Sequence, residues 1–197
     1  MHVIGSDIDG VIADIDKAMV TEAKRIKLIP PDATYDCSCG RIEDHFGWSS
    51  DDFGKILSPH MFRRAEPIMP VVSALRRWME QGTPVLFVTA RFDRLQDVTL
   101  AYLDEHGLLK PSLGCVHSRS AEKVEVARER GVTIFLDDYH RVIRPMVGVI
   151  PHPFLLASAW NLNVDDDLTV WRWEDAEREI ERLLSEDEAV EAISDVV

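Results

Sequence analysis

Five apolar runs, each bounded by turn residues and separated by amphipathic stretches, constrain this chain more than any other feature: "HVIGSDI" (2–8), "PVLFVTA" (84–90), "LGCVHS" (113–118), "VTIFLDD" (132–138) and "VGVIPHPFLL" (147–156). Their apolar character is near-continuous rather than alternating, as a strand buried on both faces requires. Between them, "PVVSALRRWMEQG" (70–82) opens on Pro and closes on Gly, with Val71, Leu75, Trp78 and Met79 on one helical face. "RLQDVTLAYLDEHGL" and "SAEKVEVARERGV" repeat that form. Strands alternating with helices imply right-handed crossovers, so the expected fold is α/β, a doubly wound Rossmann-like parallel sheet. In such sheets ligands bind at the carboxyl ends of the strands.

The stretch 17–67 breaks the alternation, mixing "IPPDATYDCSCG" with short amphipathic pieces such as "DDFGKIL". It reads as a small, mainly helical cap inserted into a core made of residues 1–16 and 68–185. The chain closes with "WEDAEREIERLLSEDEAVEAISDVV", an amphipathic helix with Ile180, Leu183 and Leu184 inward, then an acidic tail over 186–197. A length of 197 residues suits one domain with an insertion. Acids outnumber bases 35 to 22, for a net charge of −13, which argues against long nucleic acid as a partner. No run approaches the roughly 18 apolar residues of a membrane span. Three cysteines and an opening without a basic, apolar leader point to a cytoplasmic protein without a disulfide scaffold.

The strand ends carry the chemistry. Asp7 and Asp9 follow the first run, Thr89, Ala90 and Arg91 the second, and Asp137 and Asp138 the fourth, while Lys123 opens the helix after "HSRS". Carboxylates meeting at one point repel unless a cation lies among them, and hard oxygen donors suit Mg²⁺.

In order and spacing, "DIDGVIAD", "VLFVTAR", "SAEK" and "IFLDD" resemble the four motifs of the haloacid dehalogenase-like (HAD) phosphotransferase superfamily. Within the match, "DGVIAD", "MFRRAEPIMPVVSALRRWMEQGTPVLFVTAR", "VTLAYLDEHG" and "SAWN" are similar to the cytosolic-type 5′-deoxyribonucleotidases. The resemblance implies that Asp7 is a nucleophile forming an aspartyl-phosphate and that Asp9 is the general acid and base. It implies Mg²⁺ held by Asp7, the Asp9 carbonyl and Asp138, with Asp137 supporting, although the sequence leaves the reverse order of the pair open. Thr89, Ala90 and Lys123 would bind the phosphoryl group, and Gly10 would permit close backbone approach. The implied activity is phosphatase action on a small (deoxy)nucleoside monophosphate. The alternatives are another phosphomonoester, such as a sugar phosphate or a nucleic-acid 3′-phosphate end, or a catalytically silent nucleotide-binding protein.

Other residues carry plainer readings. Asp14 and Asp16 suit a helix start, and Arg91 fits a salt bridge to a cap acid as well as a substrate contact. Phe46, Trp48, Phe53 and Phe62 are candidate substrate contacts, Phe46 and Trp48 foremost, although aromatics of a cap more often form its own core. "CSCG" offers two thiols, too few for a zinc site. His117, His140 and His152 read as packing or hydrogen-bonded residues and not as ligands.

Overall fold

The computed structural model describes residues 1–35, 42–158, 161 and 167–194. Cys37 and Cys39 lie outside the described residues. Six strands form one parallel sheet: β1 (Ile4–Ser6), β4 (Val85–Thr89), β5 (Cys115–His117), β6 (Ile134–Asp137), β7 (His152–Leu156) and β8 (Val170–Trp171). Their order is β5-β4-β1-β6-β7-β8. Chain order therefore runs outward from β1 in one direction and then resumes on its other side at β6. That reversal opens a crevice at the carboxyl ends of β1 and β6, where Ser6 pairs with both Phe87 and Leu136.

The central strands are wholly buried because both faces are covered. Along β4 the side chains alternate, with Val85 and Phe87 packing to one side and Leu86 and Val88 to the other. The first side is covered by α5 (Met69–Glu80), α6 (Gln96–Glu105) and α9 (Trp173–Ser194), through Trp78, Tyr102 and Ile180. The second is covered by α7 (Lys123–Glu129) and α8 (His140–Ile143), through Ala127 and Val142. Val71, Leu75, Trp78 and Met79 are all buried, as the pattern of α5 predicts, and in α9 Ile180 and Leu183 are buried with Leu184 packed against them. The fifth apolar run differs from expectation in its first half: a turn with Gly148 at φ +79° occupies it, and the strand starts only at His152.

A short antiparallel pair, β2 (Ala13–Asp14) and β3 (Glu66–Pro67), brackets a helical insert. It contains α1 (Ile15–Arg25), α2 (Ile42–Phe46), α3 (Ser50–Ile56) and α4 (Pro59–Arg64). Asp14 caps α1 by accepting from the Lys17 N–H at 3.1 Å. Ser49 and Asp52 cap α3 reciprocally, and Ser58 with Pro59 starts α4. Met19, Ile42, Ile56 and Met61 are buried within the insert. Among the described residues no helix is long and apolar enough to cross a membrane.

Candidate active site

The crevice gathers charged side chains from elements far apart in sequence. Asp7, just past β1, accepts the Ile8 N–H at 2.7 Å through Oδ1 and lies 2.9 Å from Lys123 Nζ through Oδ2. Lys123, the first residue of α7, is 1% exposed and also donates to Asp137 Oδ2 at 2.8 Å. Asp137 closes β6 and uses its other oxygen to accept the Tyr139 N–H at 2.8 Å. Asp138, the next residue, is buried, and its main-chain carbonyl accepts from Asn161 Nδ2 at 2.8 Å. Asn161 also ties this loop to the end of β7, donating to the Leu156 carbonyl and accepting from the Ser158 N–H.

Asp7, Asp137 and Asp138 each offer a carboxylate oxygen, and these three oxygens lie within 4.8 Å of one another. Burial is the main force pushing the Asp7 carboxyl up to about 7, with Lys123 opposing and Asp137 and Asp9 adding to it. Asp138 is raised well above the usual carboxylate range, first by burial and then by the Asp137 and Asp7 charges. Three buried acids thus share one ammonium, and the surplus of hard, negatively charged oxygens fits Mg²⁺. Asp137 has both oxygens engaged, by Lys123 and the Tyr139 N–H, whereas the hydrogen bond that Asp138 makes among the described residues uses its main-chain carbonyl and leaves its carboxylate open. Gly10 lies against Asp138: its φ is +80°, and a Cβ there would sit 2.0 Å from Asp138 Oδ2. Only glycine combines that backbone with that approach.

Asp9, on the same loop, is not one of these three acids and is held by Arg91. Arg91 Nε lies 3.1 and 3.0 Å from the two Asp9 oxygens, and its Nη2 donates to Oδ1 at 2.6 Å. The sequence left Arg91 open between a cap acid and substrate; its partner is instead an acid of the core loop. Thr89 is fully buried at the end of β4, where its hydroxyl oxygen accepts the Arg91 N–H at 3.2 Å and keeps its own proton to give. Ala90 is exposed beside it.

Two clefts meet at Asp138. The larger, about 600 Å³, runs past Gly10, Lys17, Lys24, Tyr35 and Ser158. The smaller, about 210 Å³, is lined by Asp9, Met19, Ile42, Glu43, Phe53 and Tyr139. Asp16 lines both. Burial, then Asp14 and Glu43, push its carboxyl up to about 6. Phe46 and Trp48 line neither cleft: they stack on each other with ring centroids 5.1 Å apart, and Phe53 and Tyr35 supply the aromatic walls. From sequence Asp16 reads as a helix-start acid, and Asn161, although part of "SAWN", has no role of its own. The signal for Asp16 is its place in the first turn of α1, directly after the loop that carries Asp7 and Asp9. Cys115 is a free thiol that burial pushes up to about 12, which makes it inert. His117 turns its Nδ1 to the Arg91 carbonyl at 3.0 Å.

No protein-family model and no curated protein matches the chain. Solved structures do. A haloacid dehalogenase-like family hydrolase from Streptococcus pneumoniae aligns with TM-score 0.63 at 12% identity, covering 93% of this chain and 98% of its own. The D,D-heptose 1.7-bisphosphate phosphatase of B. bronchiseptica, solved with magnesium and phosphate, aligns with TM-score 0.52 at 16% identity, over 94% of this chain and 99% of that one. Protein Tyrosine Kinase A of Mycobacterium tuberculosis aligns with TM-score 0.62 at 11% identity, over 90% and 97%. One architecture thus carries proteins named for different activities, and function has to be argued from the site. With its parallel sheet reversing at β1 and its strand-end carboxylates, this chain has the α/β fold of the haloacid dehalogenase-like hydrolases.

Proposed function

We propose that the protein is a Mg²⁺-dependent phosphomonoester hydrolase that works through an aspartyl-phosphate on Asp7. The observation that carries this reading is the division of labour within one loop. Asp7 sits among Lys123, Asp137 and Asp138, while Asp9, two residues on, is turned to a separate guanidinium. Two acids in unlike surroundings are what a nucleophile and a proton carrier require.

An Asp7 oxygen attacks phosphorus and the ester oxygen departs, taking its proton from Asp9. Water then attacks the acyl-phosphate phosphorus and gives a proton to Asp9, which frees Asp7 and inorganic phosphate. Lys123 and the Thr89 hydroxyl offer donors to the phosphoryl oxygens. Asp7, Asp138 and the Asp9 carbonyl would hold the Mg²⁺, which when bound screens the dianionic phosphate from the carboxylate that attacks it. The open acceptors of Asp138, beside the occupied ones of Asp137, support Asp138 as the direct ligand. Asp9 lines only the smaller of the two clefts, so the leaving group belongs there, under the helical insert acting as a cap.

For the substrate we propose a small (deoxy)nucleoside monophosphate. The nucleotidase-like stretches support it, as does the Phe53 ring in the leaving-group cleft, a surface for a base or sugar. A single panel tests reaction and substrate together: nucleoside monophosphates, sugar phosphates and 3′-phosphorylated oligonucleotides, each with Mg²⁺ and again with excess EDTA. Nucleotides should turn over fastest, and EDTA should stop the reaction reversibly. Preference for either of the other groups would move the substrate assignment, and persistence in EDTA would refute the metal role.

A further inference from the structure

Arg91 is placed among the catalytic groups without being a metal ligand or a phosphate donor. Its side chain is wholly buried, a costly position for a guanidinium unless every face is matched. Here the faces are matched. Nε and Nη2 hold Asp9, and Nη1 lies 3.4 Å from Thr99 Oγ1, whose own proton goes to the Leu95 carbonyl at 2.9 Å. The guanidinium carbon is 4.6 Å from the Phe62 ring centroid and 5.6 Å from that of Tyr102. Its backbone is pinned as well, the N–H to Thr89 and the carbonyl to His117.

We propose that Arg91 is the positioning residue of the general acid and base, setting the plane of the Asp9 carboxylate, and that Phe62 of α4 ties that setting to the insert. This rests on the phosphatase reading above. The fork leaves the two Asp9 oxygens unequal. Among the described residues, Oδ1 takes bonds from Nη2 at 2.6 Å and Nε at 3.1 Å, whereas Oδ2 takes only the Nε bond at 3.0 Å. Oδ2 therefore keeps acceptor capacity for the proton that travels to and from the ester oxygen. Asp9 is 24% exposed and lines the leaving-group cleft, so that oxygen is within reach of a substrate. A lysine could supply the charge at this position but not the planar, two-point grip. A ring on α4 facing the guanidinium means that the docking of the insert and the aim of the acid are set by the same contact.

The test uses the leaving group as the readout. Alkyl oxygens, as in nucleoside or glycerol phosphates, need a proton as they depart. The 4-nitrophenolate of 4-nitrophenyl phosphate does not. Arg91→Lys should lower kcat/KM on an alkyl phosphomonoester by about 10²-fold while changing 4-nitrophenyl phosphate by less than about 5-fold. Asp9→Asn should show the same selectivity in stronger form. Phe62→Leu leaves both charges in place and should show it more weakly, mainly in kcat, and it carries the test if Arg91→Lys does not fold. An equal fall on both esters, or no fall on either, overturns the positioning role. If the unaltered protein hydrolyses neither ester in Mg²⁺, the phosphatase reading itself has failed, and this inference with it.

Discussion

Among the described residues, buried carboxylates occur in two regions of this molecule and are held in opposite ways. In the insert, Glu22 of α1 is 2% exposed, yet Arg25 one turn on meets both its oxygens at 2.6 and 2.7 Å. The Ser58 hydroxyl adds a third bond at 2.8 Å. The Arg25 hydrogen bonds, foremost, hold this carboxyl below its usual range despite burial. At the sheet edge burial wins instead, and Asp7 is pushed up to about 7 with only Lys123 to oppose it. An acid that serves the fold thus arrives with its counter-charge on the same helix. The acids at the strand ends are left under-neutralised, at a cost in stability, and charge of that kind marks where a ligand belongs.

The widest gap between the two regions should appear when each loses its acid. Asp7→Asn removes the proposed nucleophile and one crowded charge, so turnover should fall about 10⁴-fold or more. Urea unfolding without metal should need as much denaturant as before, or more. Glu22→Gln should do the reverse, costing about 1–3 kcal/mol by leaving Arg25 poorly paired, with turnover changed by less than about 2-fold. Near-normal turnover in Asp7→Asn, or a folded Glu22→Gln that is inactive, would erase the distinction.

The next effect concerns the one ammonium. Lys123→Met leaves Asp7, Asp137 and Asp138 buried without it, and the expected loss is about 3–5 kcal/mol, read from urea midpoints in EDTA. Added Mg²⁺ should restore part of that loss, because a cation among the same oxygens takes over the neutralisation. A loss below about 1 kcal/mol would mean that Lys123 contributes no more than a surface pair.

How much of this was legible depended on how each group reaches the site. A buried strand delivers whatever residue follows it to the sheet edge, so Asp7, Asp137 and Asp138 could be placed together across some 130 residues from apolar runs alone. Lys123 followed because a helix start lies beside such an edge. The pairing of Arg91 with Asp9 was not legible, since it links side chains 82 positions apart and neither local pattern encodes it. Nor were β2, β3 and β8, because strands of two residues carry no period to read. In the insert, α2 and α3 have five and seven residues, too few for a pattern to fix which face turns inward. Phe46 and Phe53 were therefore equivalent in sequence, and only the docking of these helices sends one into a stack with Trp48 and the other into the cleft.

The smallest effect falls between the two regions, on Asp16, which sits in the first turn of α1 of the insert and lines both clefts. Its carboxyl is pushed up to about 6, by burial first and then by Asp14 and Glu43, whereas in the unfolded chain it titrates near its ordinary value of about 3.9. Below pH 4 it is protonated in both states and costs nothing. Between about pH 4 and 6 the folded state holds more protons than the unfolded, so stability falls as pH rises through that window and levels off above it. Asp16→Asn removes the titration. The variant should match the parent at pH 4 and exceed it by about 1 kcal/mol at pH 7 after allowance for solvent access, as read from urea midpoints at the two pH values in EDTA. A difference that is constant with pH would mean that Asp16 keeps its ordinary affinity for protons. It would then belong with Glu22, as an acid satisfied by its surroundings, and the under-neutralised region would end at Asp138.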